Sequence, residues 1–356
     1  MRLVRTRWTG YAVFLAALLL VPAVFTRVPF YTMSVAVVMG LQAITALGLV
    51  PLTGRGKQIS IGQAGFYGIG GYTSALLSTK LGVSPLLGTT AGAVLAAGVA
   101  WVLGRFLFRV QGHYLALATL SFGLTLGFLC VQLPLTGATS GITAVPSASV
   151  FGLQISSDLD MFYLAAVVLL VATVVVDSLL RSPLGRAMTA AGDSPIAAAA
   201  SGVSISALRR GMFALSAVLA AISGGLYVDW TSFADPSMLS ILNSIQFLVV
   251  ATVGGLRTVW GAPLGAFVVI TLSEAAKTSI PQVIPGVSGN YEIVVYGVML
   301  ILVLIFLPDG VAGLFRRTPR PPAAQASNSH RPERKLTCAH PGHSDGWWPA
   351  SRPPRR

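Results

Sequence analysis

The chain has 356 residues, of which 54% are hydrophobic and only 10% charged, with a mean hydropathy of +0.75. Soluble domains carry about 25% charged residues, so this supply cannot cover a water-exposed surface and a soluble globular fold is excluded. The net charge of +13 is divided among short loops and a basic tail, the pattern of inner-face anchoring in a membrane, and not the single basic patch of a nucleic-acid binder.

Apolar runs of about 20 residues, the length that spans a bilayer as a helix, recur from one end to the other. They fall at Trp8–Phe25, Tyr31–Leu52, Ile59–Thr79, Pro85–Phe108, Tyr114–Leu133, Leu159–Leu180, Gly211–Trp230, Ile241–Val253, Gly261–Ala276 and Tyr291–Leu307. The ~10-residue alternating segments of a membrane β-barrel are missing. The expectation is an all-α, polytopic transmembrane bundle of about ten spans, or eight with two re-entrant segments where glycine interrupts a run. The opening MRLVRTRW and the run after it resemble a signal peptide, but no small-x-small cleavage site follows, so residues 1–30 read as an uncleaved first span. Cys130 and Cys338 suggest no disulfide framework.

Lys and Arg set the orientation. With the N-terminus inside, inner loops collect Arg2, Arg5, Arg7, Arg55, Lys57, Arg105, Arg109, Arg181, Arg186, Arg209, Arg210 and Arg257, while Leu133–Asp160 contains neither residue type. Both termini then lie inside. The membrane-spanning body covers 31–315. The Pro/Arg-rich tail 316–356 reads as disordered. Its Cys338, His340 and His343 lack a framework and an evident fourth ligand, so no metal is expected.

The run from Gln58 to Leu77, QISIGQAGFYGIGGYTSALL, holds Gly62, Gly65, Gly68, Gly70 and Gly71 with Gln58, Ser60, Gln63 and Tyr72 among them. Two roles are open: close packing through small residues, or a broken helix whose backbone lines a substrate path. The preceding Gly54-Arg55-Gly56-Lys57 imitates a phosphate-binding loop, but Pro51 stands at the first glycine position and Gln58 replaces Ser/Thr. No nucleotide site is evident, and ATP must be handled elsewhere. Glycine pairs recur at Gly88/Gly92, Gly123/Gly127 and Gly261/Gly265. The block from Val253 to Gly261, with Gly254, Gly255 and Trp260, reads as a flexible turn anchored at the inner interface. Asp177, Asp229, Glu274 and Lys277 lie near span ends, where snorkelling lowers the cost of charge. No buried ionisable relay is expected, which argues against a self-powered carrier. An intramembrane hydrolase has no motif to support it.

The most polar segment inside the body is Arg181–Arg210, RSPLGRAMTAAGDSPIAAAASGVSISALRR. Asp193 or Ser194 can cap a helix starting at Pro195, alanines propagate it, and Gly202 can end it.

QISIGQAGFYGIGGYTSALL, GHYLALATLSFG (112–123), LTGATSGI (135–142), SPLGRAMTAAGDSPIAAAASGVSI, SAVLAAISGGLYV (216–228), GGLRTVWGAPLGA (254–266) and LPDGVAGLF (307–315) occur in the order found in permeases of branched-chain amino-acid ABC importers. The chain resembles the M-type permease of that family over residues 30–315. The resemblance implies a non-catalytic transport subunit of the bacterial cytoplasmic membrane. It implies partners as well: a homologous H-type permease, two ABC ATPases that bind ATP and Mg, and an extracytoplasmic substrate-binding protein. It implies a coupling helix that docks on an ATPase, here involving Gly185, Arg186, Asp193, Ser194, Ile196, Ala197, Ala198, Ala199 and Gly202. The path would be lined from Gln58, Ser60, Gly62, Gln63, Gly65, Gly68, Tyr72, Tyr114 and Thr119, with packing or hinge positions at Gly254, Gly255, Trp260, Gly261 and Gly265. Lys57 for a small residue, Gln63 for a frequent His, the missing acidic residue in LTGATSGI and Arg257-Thr258 for Gly-Ser depart from the family pattern. They leave branched-chain amino acids, urea and short amides open as cargo.

Overall fold

A computed structural model describes residues 32–108, 113–147, 149–150, 153–155, 157–283 and 310–314, with isolated positions at 11, 14, 15, 21, 22, 297 and 298. The described chain is almost wholly helical: α1 (Met33–Leu49), α2 (Gln63–Leu81), α3 (Pro85–Leu107), α4 (His113–Gln132), α5 (Asp158–Arg181), α6 (Pro183–Asp193), α7 (Pro195–Ala200), α8 (Ile205–Thr231), α9 (Ile241–Gly254), α10 (Gly261–Val283) and α11 (Val311–Leu314). A two-residue antiparallel pair, Ser149–Val150 with Leu153–Gln154, is the sheet among these residues. Five helices are long and apolar enough to cross a membrane: α1 continued through Arg55, α3, α4, α5 and α8. The apolar stretches Ile241–Gly254 and Gly261–Ala275 are shorter. The chain is an all-α, multi-pass membrane protein. Most of the first and last apolar runs and the tail lie outside the described residues.

Helix starts follow local chemistry. Ser157 caps α5 by accepting from the Asp160 N–H at 3.2 Å, with Asp158 and Asp160 in the first turn, where the helix dipole favours acids. Proline occupies the first turn of α3, α6 and α7, each after a serine, where its missing N–H costs no helical bond.

Helices α1 and α8 form the centre. Most of the α1 stretch is buried, including Val37, Ile44, Leu47 and Leu49, while α4 presents most of its surface outward. In lipid, helices gain little from hydrophobicity against one another and associate through close packing and interhelical hydrogen bonds. Both are used here. A Cβ at Gly70 would strike the Ala221 carbonyl, and one at Gly224 would strike the Tyr67 carbonyl, so α2 and α8 meet backbone to backbone. Gly92 of α3 rests on Gly70, with a virtual Cβ 3.0 Å from its Cα, and Gly88 rests on Ser74. Ser223 donates to the Leu41 carbonyl at 2.6 Å, tying α8 to α1.

Two expectations are corrected, and one open choice divides. In the glycine-rich run, residues 58–62 are non-helical and α2 then continues unbroken from Gln63 to Leu81, where Gly65, Gly68, Gly70 and Gly71 each abut a neighbouring element. The irregular backbone begins in a π-helical turn at Val50–Arg55 and runs on through residues 57–62, because Pro51 cannot donate a helical hydrogen bond and Lys57 takes a φ of 52°. The polar island folds as two helices, α6 and α7, since Ser194 is extended (φ −146°, ψ 96°) and ends the first while capping the second. Asp229 does not snorkel. It is 1% exposed and accepts from Ser74 at 2.6 Å and Thr89 at 2.8 Å, joining α8 to α2 and α3. Burial inside the bundle leaves it no route to water, so hydroxyl donors replace the hydration shell.

At the same end of the bundle as Asp229, the segment after α4 pairs with the segment after α8. Ile142 and Ala234 exchange N–H···O bonds of 2.9 and 3.0 Å, and the Val145 N–H donates to the Ser232 carbonyl at 3.2 Å. LTGATSGI is held by left-handed glycines at 137 and 141.

Candidate functional site

At the opposite end, α6 and α7 sit on the turn that follows α1. The fit depends on one glycine: a Cβ at Gly192 would collide with the Arg55 carbonyl, so only glycine lets α6 come this close. Arg55 Nη1 donates to Thr189 Oγ1 at 3.4 Å, and Lys57 Nζ donates to Asp193 Oδ1 at 2.8 Å. The Lys57 ammonium holds the Asp193 carboxyl below the usual carboxylate range, first by hydrogen bonding and then by charge. Both side chains are well exposed, at 61% and 64%, so this pair orients the helix without anchoring it strongly.

The residues expected in a coupling element divide between two surfaces. Gly185 is buried: its N–H is capped by Ser182 Oγ, and a side chain there would strike the Leu180 carbonyl. Ser194 Oγ accepts from the Ala197 N–H at 3.4 Å, and Gly202, at φ +81°, closes α7 by donating to Ala199. Ala198 turns inward at 4% exposure, so the alanine face is not uniformly outward. Arg186, Asp193, Ala197 and Ala199 face out. Ile196, at 86%, is the most exposed large apolar side chain among the described residues. An isoleucine pushed into water at the tip of a short segment has no packing partner to explain it among the described residues.

Beside α6 lies a cleft of about 540 Å³ lined by Arg55, Arg181, Arg257, Asp177 and Trp260. Arg181 Nε grips Asp177 at 2.8 Å to both oxygens. Tyr11 donates to Asp177 at 2.7 Å, and its ring, with that of Phe14, packs on Trp260 at centroid distances of 5.4 and 5.2 Å. The glycine block next to it is a tight elbow. A Cβ at Gly254 would strike the Gly261 carbonyl, one at Gly261 the Gly255 carbonyl, and one at Gly265 the Val250 carbonyl; Gly255 itself sits at φ +104°. These glycines pack α9 against α10 in a close backbone-to-backbone corner.

Of the residues expected along a path, five come together where the chain enters α2. Ile61 N–H donates to Thr119 Oγ1 at 3.1 Å, and Gly62 lies against the Thr119 carbonyl. Gln63, fully buried, donates to Ser216 Oγ at 3.0 Å while its Oε1 has no partner among the described residues; neighbouring Ser60 Oγ is likewise unpaired. Gln58 folds back onto the Gly56 carbonyl at 3.2 Å. Gly65 packs on Gly123, whereas Gly68 meets Leu239 farther along α2. Tyr72 lies beyond them, buried, with an unpaired hydroxyl. Tyr114 separates from the group, standing 71% exposed on α4. Sequence reasoning missed Arg55, Thr189 and Gly192 as the seat of α6. The near-phosphate-loop GRGK was the one visible signal at that place, and it pointed to different chemistry.

A family described as the permease component of branched-chain amino acid transport systems matches residues 31–304. The chain is 28% identical over 309 residues to the high-affinity branched-chain amino acid transport system permease protein LivM of Escherichia coli K12, covering 80% of this chain and 71% of that protein. The LivM of Salmonella typhimurium LT2 is 27% identical over the same lengths. The high-affinity branched-chain amino acid transport system permease protein LivH of Escherichia coli K12 is 25% identical over 291 residues, 76% of this chain and 91% of that one. No solved structure matches this chain.

Proposed function

This chain belongs to the family of permease components of branched-chain amino acid transport systems, and on that premise we propose that it forms one half of the membrane pathway of an ATP-driven importer for branched-chain or related hydrophobic amino acids. Its other half is a homologous H-type permease. Two ATPase subunits bind ATP and Mg, one of them docking on α6–α7, and a binding protein delivers cargo at the end that holds Asp229. In this reading the chain spans the bacterial cytoplasmic membrane about ten times with both termini inside and performs no chemistry itself.

The observation that carries the reading is the outward-facing tip of α7. Ile196 is offered to solvent on a segment whose own seat is a backbone contact between Gly192 and Arg55. The end of the bundle around it carries Arg55, Lys57, Arg181 and Arg257, as an inner face should. ATP binding would close the ATPases, move α6–α7, and rock one permease against the other, the alternating-access scheme.

The test is reconstitution of the complete assembly in proteoliposomes with ATP enclosed and L-leucine supplied with the binding protein outside. Uptake is expected only with ATP and both ATPases present. ATP-independent uptake by this chain alone would replace the importer by a carrier. Preference for urea over L-leucine would move the cargo to the short-amide class.

A further inference from the structure

Between α1, α2, α8 and α9 lies a cavity of about 270 Å³ that none of the residues assigned above lines. Its wall is aromatic on one side: Tyr67 stacks against Phe247 at 5.2 Å and against Tyr227 at 5.9 Å between ring centroids. Ser237 and Met238, in the segment joining α8 to α9, and Gln42 of α1 complete the lining. The volume lies below the ~300 Å³ at which pockets for drug-sized ligands begin, so it suits a solute of a few heavy atoms.

Beside the hydroxyls of Tyr67 and Tyr227 and the amide hydrogens of Gln42, three polar atoms of the lining are acceptors that the chain's own bonding leaves over. Gln42 Oε1 is buried and has no partner among the described residues. Asn243 gives both amide hydrogens to the chain, to the Ser237 and Met238 carbonyls at 3.2 Å each, so its carbonyl oxygen is the atom left for anything else. Ser237 gives its hydroxyl hydrogen to Asp235 at 2.5 Å and keeps only acceptor capacity. The faces of Tyr67 and Tyr227 carry the negative side of the ring quadrupole and attract cations within about 6 Å. Asp235 adds a carboxylate behind Ser237. Acceptors, π faces and a nearby negative charge call for a donor-rich cation, and the apolar remainder of Val38, Leu41 and Phe247 calls for a short hydrocarbon.

We propose that this cavity is a resting site on the translocation path for the ammonium end and aliphatic side chain of a small apolar amino acid, with Gln42 Oε1 accepting from the ammonium and Tyr67 and Phe247 holding the side chain. The inference rests on the importer reading for its ligand class. A buried acceptor left without a donor is costly. That explains why a glutamine in the largely apolar α1 is better placed at a site that is periodically filled than in plain packing.

The complete transporter, with Cys130 and Cys338 replaced by serine and Val38→Cys introduced at the rim, reports occupancy through alkylation by N-ethylmaleimide. L-Leucine and 3-methylbutylamine, which share the ammonium and the branched tail, are expected to slow alkylation about tenfold at ten times their half-protecting concentration. 4-Methylpentanoate, which has the tail without the ammonium, is expected to give no protection. Gln42→Leu should abolish protection by the amine. Ser237→Cys, at an exposed position of the lining, serves as a second reporter if the first variant assembles poorly. Equal protection by all three compounds, or by none, in either reporter overturns the site. The two readings fail separately: leucine uptake with no protection sinks the cavity and spares the importer, whereas protection by the amine in an assembly that imports no amino acid sinks the importer and spares the cavity.

Discussion

The crossing of α2 with α8 and the seat of α6 on the end of α1 use the same device, a glycine laid on a carbonyl, with opposite outcomes. At the crossing, Gly70 lies on Ala221 and Gly224 on Tyr67, and both helix faces disappear into the bundle. At the seat, Gly192 lies on Arg55, but the remaining faces stay open, with Leu184 at 55% and Ile196 at 86% exposure. The first contact completes a surface and the second presents one. A glycine therefore does not announce by its type whether it closes an interior or positions something for a partner. What its helix neighbours do with their other faces decides that.

The sharpest way to break the comparison is Gly70→Leu. Backbone-to-backbone approach leaves no soft neighbour to yield, so overpacking should cost about 3 kcal/mol or more and remove monodisperse protein on size-exclusion chromatography in detergent. Gly98→Leu, on the same bundle but with nothing within 4 Å of the added carbon, should stay within about 0.5 kcal/mol of the parent. Equal behaviour of the two variants would show that the α2–α8 crossing is looser than its geometry implies.

Next in size is Asp229→Ala. It strips the acceptor from Ser74 and Thr89 in the interior, an expected loss of about 2 kcal/mol. Asp229→Asn, which keeps an acceptor, should recover most of it in thermal unfolding followed by tryptophan fluorescence.

At the open end the expected effects leave stability alone. Ile196→Glu should change unfolding by less than about 0.5 kcal/mol while lowering ATP-driven L-leucine uptake about tenfold, the equivalent of 1.4 kcal/mol of lost docking. Uptake at the parental rate would remove α7 from the ATPase interface. The smallest effect belongs to the Lys57–Asp193 pair. Its carboxyl is held below the usual value of 3.8, so the favourable contribution is complete above that value and is lost as pH falls through the depressed one. Lys57→Ala should return the Asp193 titration, followed by carboxyl-carbon NMR, to the ordinary range. No upward movement would mean the pair is not formed in solution.

Much of this contrast could be read beforehand, and some of it could not. The apolar runs located the long helices because length and composition alone separate a span from a loop, and Ser194-Pro195 marked the start of α7 because cap and first-turn proline are local signals. The serine–proline step at Ser182-Pro183 carried the same signal for α6 and was absorbed into a single expected helix. Gly192 looked like one more small residue, since the Arg55 carbonyl that makes it necessary is distant in sequence. Asp229 was placed near a span end by counting residues, and only the approach of Ser74 and Thr89 from two other helices shows that it is enclosed. Gln42 and Asn243 were invisible for the same reason. Gln42 stands alone between apolar neighbours and Asn243 sits beside Ser244 and Gln246, and they share a cavity only because four helices converge there.

The seat of α6 has a mechanical consequence. A side-chain contact can absorb a push by changing rotamer, but two main chains in direct apposition have no such slack. Any displacement of α6 is therefore passed undamped to the turn at Val50–Arg55, which joins the buried α1 to the entrance of α2. That makes the turn a stiff crank: small travel outside the bundle becomes small, immediate travel at its centre.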